Sequence, residues 1–204
     1  MAGIVSLFFL SGFAGLIYEV AWLRMLDRAF GSTTYATSNI LAIFMAGLAA
    51  GGWLAGKYAG RLKSPLRAYG LVELALAAAA LFSSWAVLQL PQLFARLCPA
   101  ASADSLSVIL VRSSLALAVL FPPTFLMGAT LPVLCEYDSR RRTAAAPGRG
   151  NGAALLYGVN TLGAVCGVLI SGFYALGAFG ESRTPDIAPA EFVRFPVQTP
   201  AATL

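Results

Sequence analysis

Histidine is absent from the whole 204-residue chain, which removes the side chain most often used as a general base or metal ligand near neutral pH. Charge is scarce as well. Charged residues make up 11% of the chain against 58% hydrophobic ones, and a soluble domain carries about twice that charge. Only three cysteines occur, Cys98, Cys135 and Cys166, without metal-ligand spacing, and the topology derived below sets Cys98 and Cys135 at opposite faces of a membrane. A disulfide framework and a zinc site are thereby set aside. No strand, glycine-rich loop and helix follow one another in the way a nucleotide-binding unit requires, so no cofactor is assigned.

What the chain does have is length without charge. Residues 35–55 contain no charged side chain, and at about 1.5 Å rise per residue they suffice to cross a bilayer core. Four further apolar stretches predict an all-α integral membrane bundle of about five spans, at residues 3–23, 35–55, 69–88, 106–134 and 153–176. The N-terminal stretch has no basic region before it and stays apolar to Leu23, so it reads as a span and not as a cleaved signal. Pro91 is expected to close the third span, and Pro122 with Pro123 to kink or break the fourth. Residues 89–105 read as a loop whose QLFARL portion lies along the interface, and residues 136–150 as a basic loop. The domain organisation is a membrane domain over residues 1–180 and a proline- and threonine-rich tail over 181–204 that is expected to be disordered.

Basic residues between spans set the orientation. The second and fourth connections hold eight Lys and Arg, among them Lys57, Arg61, Lys63, Arg67, Arg140 and Arg141, whereas the first, the third and the tail together hold five. Basic residues in short loops stay cytoplasmic. The N-terminus is therefore expected in the cytoplasm and the tail outside, in a bacterial-type inner membrane. The net charge of +5 is read as topology signals beside anionic headgroups, and no nucleic-acid partner is assigned.

Two sets of residues stand out. Gly47 and Gly51, then Gly52 and Gly56, and in the fifth span Gly163 and Gly167, recur four apart, a spacing that lets helix backbones approach closely and also offers seams for homo- or hetero-oligomers. Glu19, Glu73 and Arg112 are ionisable groups inside spans, where each costs on the order of 2.5 to 3.5 kcal/mol to insert. Glu19 and Arg112 have matching depths toward the outer face and are expected to form an ion pair. Glu73 shares its depth with Asn160 on the fifth span, which offers a hydrogen bond but no countercharge. The run Gly-Arg-Gly-Asn-Gly at 148–152 looks like a phosphate-cradling loop but follows a basic loop and no strand, so it is read as a connection.

The segments SGFAGLIYEVAWLRML (11–26), FGSTTYATSNILAIFMAGLAAGGWLAGKYAGR (30–61), FPPTFLMGATLPVL (121–134) and LYGVNTLGAVCGVLISGF (156–173) together resemble the membrane half of transporter-like proteins fused to a spermidine synthase domain. The glycine-rich second span with its basic exit is also similar to the loop between the second and third helices of the major facilitator superfamily, without the acidic residue common there. The resemblance implies a membrane domain, a major-facilitator-like half, normally followed by more spans and by a cytoplasmic Rossmann-like domain that transfers an aminopropyl group. No residue of this chain matches that catalytic domain, so no catalytic residue is assigned. The expectation is an anchor or a polyamine- or small-cation-binding module for a partner, with a half-transporter for a small cation, or the membrane subunit of a split aminopropyltransferase, as alternatives.

Overall fold

The computed structural model describes residues 2–30, 34–97, 106–145 and 152–175. They form five α-helices: α1 (Ala2–Phe30), α2 (Thr34–Ala59), α3 (Pro65–Leu97), α4 (Leu106–Ala145) and α5 (Gly152–Leu169), the last continuing into a π-helical turn over Ile170–Ala175. All five are long and apolar enough to cross a membrane, over Gly3–Asp27, Thr37–Ala59, Pro65–Leu97, Leu106–Arg141 and Gly152–Phe173. Their outward faces are as apolar as their inward ones. On α3, Leu74, Leu81 and Leu88 recur every seven residues and are 70%, 68% and 63% exposed. A helix that is apolar all round belongs in lipid, where such a stripe has a matching solvent. The chain is a multi-pass, all-helical membrane protein.

Two helix pairs carry the packing. α2 lies most extensively on α4, and α1 on α5, while α3 covers α4 and, to a smaller extent, α1. Glycine permits both pairings. A Cβ at Gly51 would overlap the Phe125 carbonyl oxygen, and one at Gly47 the Thr124 hydroxyl, whereas from the other side a Cβ at Gly128 would overlap the Leu48 carbonyl. In the second pair Gly163 and Gly167 meet the carbonyls of Phe9 and Phe13. Backbones this close gain dispersion contacts that no larger residue allows. Gly52 makes only an ordinary approach to the Gly128 carbonyl, at 3.4 Å, and Gly56 has nothing within 4 Å, so the four-residue spacing alone overstates the packing role of that helix end.

Side chains fill the cores on either side of these crossings. Trp22, Leu26, Phe44, Val87 and Leu120 bury the half toward the C-terminal end of α1. Phe8, Tyr69, Leu134 and Leu156 bury the other half, with the Phe8 and Tyr69 rings edge to face at 6.4 Å.

The prolines do not break the helices as expected. α4 is helical across Pro122, Pro123 and Pro132, and α3 across Pro91 to Leu97. Proline at position 123 removes the donor for the Val119 carbonyl. That carbonyl instead accepts from the Ser83 hydroxyl of α3 at 2.7 Å, in a fully buried contact. Thr124 donates to Leu120 and Phe121 carbonyls at 2.8 and 3.1 Å. The Ser83 hydroxyl thus restores the bond that the Pro123 ring nitrogen removes, as is required where no water reaches.

α4 also runs on through the first part of the expected basic loop, to Ala145. Forty residues extend about 60 Å, roughly twice a bilayer core, so its end projects past the lipid. An i,i+4 pair between Glu136 and Arg140, with Nε to Oε1 at 2.6 Å, supports that projection. Residues 31–33 of the first connection, 98–105 with Cys98, 146–151 and the tail from 176 lie outside the described residues.

Candidate intramembrane polar site

Glu19 is half-buried on α1, eight residues in from Asp27, the end of its span, and so about 12 Å below that face. It borders a cavity of about 20 Å³ shared with Trp22, Leu23, Ile40, Phe44 and Leu120. The surrounding wall is fixed by packing and two linked hydrogen bonds. Trp22 donates through Nε1 to the Ser84 hydroxyl at 3.2 Å, and Ser84 donates to the Ala80 carbonyl at 2.9 Å. Tyr18 stacks on the Trp22 ring at 5.4 Å. A space of this size admits one water-sized guest. A carboxylate and an indole in the same wall both attract a cation, the first by charge and the second through its ring face.

The expected ion pair between Glu19 and Arg112 does not form. No ion pair joins these two side chains. Arg112 instead places its guanidinium 4.9 Å from the Phe94 ring centroid, with its Nε buried and without a hydrogen-bond partner there. Equal depth fixes only the height of two groups. The rotation of each helix decides which neighbour a side chain meets: Glu19 is turned to Ile40 and Phe44 of α2, and Arg112 to the end of α3.

Glu73 accepts a hydrogen bond from Ser11 of α1, Oγ to Oε1 at 2.8 Å, and the Tyr69 hydroxyl one turn away lies close enough to interact with both. Asn160 does not bond to Glu73. It packs on the other flank of α1, where a Cβ at Gly12 would overlap its carbonyl oxygen and come within 2.7 Å of its Oδ1. Ser11, Glu73 and Asn160 each lie eight residues in from the first residue of their spans, Gly3, Pro65 and Gly152, which sets them in one polar layer about 12 Å below that face. Sequence reading missed Ser11 and Tyr69 in this layer. For Ser11 the available signal was its distance from the span end, equal to those of Glu73 and Asn160, whereas Tyr69 lies one turn nearer the face. A second polar bridge, Asn39 Nδ2 to Ser113 Oγ at 2.9 Å, ties α2 to α4 near their N-terminal ends.

Among the described residues no three His, Cys, Asp or Glu side chains cluster in a way that would hold a metal ion. The class that fold and site define is therefore a multi-pass helical membrane protein with carboxylates set inside its bundle. No protein-family model matches the chain, and neither a curated protein nor a solved structure does.

Proposed function

We propose that this chain is a membrane module that binds a small cation at Glu19 and anchors or presents a partner. The observation that carries the reading is the Glu19 carboxyl bordering a small, aromatic-walled cavity with no basic side chain opposite it among the described residues. The cavity has room for one ammonium group. The terminal ammonium of a polyamine fits that description, its methylenes lying along Leu23 and Leu41, and the resemblance to the membrane half of spermidine-synthase-like proteins favours that class.

The same reading sets the module in a bacterial-type inner membrane with its N-terminus in the cytoplasm. In support, Arg140 at the end of α4 donates to the Gly60 and Leu62 carbonyls of the α2–α3 connection, at 2.9 and 2.8 Å. The two most basic connections thus meet at one end of the bundle. Pairing with a second copy or a partner is part of the proposal. Gly158 and Gly172 are exposed, with nothing within 4 Å of a Cβ placed there, so small residues remain available to a further helix.

The test is thermal unfolding of the purified protein in neutral detergent with spermidine, putrescine, ammonium or potassium added. A ligand at a hundredfold excess over its Kd stabilises by about 2.7 kcal/mol, and wild type should show a rise of several degrees with at least one of the four. Glu19→Gln should abolish that rise while retaining the unliganded melting temperature, and Glu73→Gln should keep it. An equal rise in Glu19→Gln would remove the reading.

A further inference from the structure

The last turns of α2 leave a group of residues that helix packing does not use. Trp53 is 68% exposed, and Lys57, Tyr58 and Arg61 follow it on the outside of the helix. Their side chains are held together. The Lys57 ammonium lies 5.4 Å from the Trp53 ring centroid and 5.7 Å from that of Tyr58, and the Arg61 guanidinium lies 5.3 Å from Tyr58. No carboxylate pairs with Lys57 or Arg61 among the described residues. Beside them Gly56 and Gly60 are exposed and meet nothing within 4 Å, so the surface next to the two cations is bare backbone.

A helix C-terminus normally repels an anion, because its last carbonyls carry partial negative charge. Here that repulsion is reduced. Arg140 reaches across from α4 to donate to the Gly60 and Leu62 carbonyls, while its own charge is balanced by Glu136. It fixes the turn, whose amides at Arg61 and Leu62 bond to Tyr58 and Ala59 carbonyls at 3.0 and 3.1 Å. This end carries Lys57, Arg61, Lys63, Arg67, Arg140 and Arg141 against only Glu136 and Asp138. The vertical order is also that of a phospholipid. Arg61 sits where the apolar span ends, Tyr58 lies just below it at the level where aromatic side chains anchor, and Trp53 lies eight residues deeper than Arg61, about 12 Å into the acyl region.

From this arrangement we infer that the C-terminal end of α2 is a binding site for an anionic phospholipid. Lys57 and Arg61 take the headgroup phosphate, and the open strip at Gly56 with the Trp53 ring takes the start of an acyl chain. The site is distinct from the Glu19 cavity, so it does not depend on the cation reading.

The full-length protein is purified into phosphatidylcholine nanodiscs, and phosphatidylglycerol is then introduced in steps, with bound lipid read by native mass spectrometry and stability by melting temperature. Wild type should retain phosphatidylglycerol and melt higher as its fraction rises. Each basic residue near an anionic surface is worth about fivefold in affinity, so Lys57→Gln with Arg61→Gln should weaken retention roughly 25-fold while melting as wild type does in pure phosphatidylcholine. Arg24→Gln, at the other end of α1, should change nothing. If the double variant melts early in phosphatidylcholine, Lys57→Gln alone should still show the fivefold loss. Wild-type retention by either variant, an equal loss in Arg24→Gln, or an equal rise in melting temperature from inorganic phosphate alone would overturn the assignment.

Discussion

Gly51→Val should remove more than about 3 kcal/mol from the unfolding free energy in mixed micelles, a large fraction of the 5–15 kcal/mol that a domain has. The new Cβ would lie on the Phe125 carbonyl oxygen, a backbone atom that no rotamer change can move aside. Ordinary overpacking of a core costs about 1–3 kcal/mol because side chains yield. Here the helices themselves must separate, and the approaches of Gly47 to Thr124 and of Gly128 to Leu48 are lost with the first. Gly56→Val, on the same helix with nothing within 4 Å, is the matched control and should change stability by less than about 0.5 kcal/mol. Equal effects at the two positions would mean that α2 and α4 do not cross as described.

Glu19→Leu should act in the opposite direction, raising the unfolding free energy by about 2 kcal/mol. The carboxyl sits among Trp22, Leu23, Ile40, Phe44 and Leu120, and an ionisable group inside a span carries a standing cost that leucine does not. Leucine also fills the adjoining space. A residue retained against such a gain is the mark of a site kept for use at the expense of stability. The variant should be the more stable of the two proteins and insensitive to added cations. A loss of stability comparable with Gly51→Val would show instead that Glu19 holds the bundle together through a partner of its own.

The architecture was largely readable from the chain because lipid imposes it. Five apolar stretches are long enough to span, and no other backbone arrangement satisfies its hydrogen bonds there except a closed barrel. Gly47, Gly51, Gly163 and Gly167 were visible through their four-residue spacing. Gly12 and Gly128 were not, since neither has another glycine four residues away on its own helix. The proline reading went astray at Pro123 for a related reason. Whether a proline breaks a membrane helix depends on what replaces the lost donor, and the replacement, Ser83, lies 36 residues away on the chain. Pro91 ended a span on paper while α3 continues through it to Leu97, placing Phe94 under the Arg112 guanidinium and giving that arginine a neighbour other than Glu19. Hydropathy yields depth, and depth matched correctly for Glu73 and Asn160. Azimuth around each helix axis is set by packing, and it is azimuth that separates Glu19 from Arg112 and Asn160 from Glu73.

In the proposed orientation the five helices thread lipid with the α2–α3 and α4–α5 connections at the cytoplasmic face. Single cysteines introduced at Lys63, Arg141 or Ala101, in a background with Cys98, Cys135 and Cys166 replaced by serine, report this directly when intact cells are treated with a membrane-impermeant maleimide. Cysteines at positions 63 and 141 should be protected until the membrane is opened, and the one at 101 should label at once. Immediate labelling at 63 or 141, or opposite behaviour of those two positions, would contradict the arrangement.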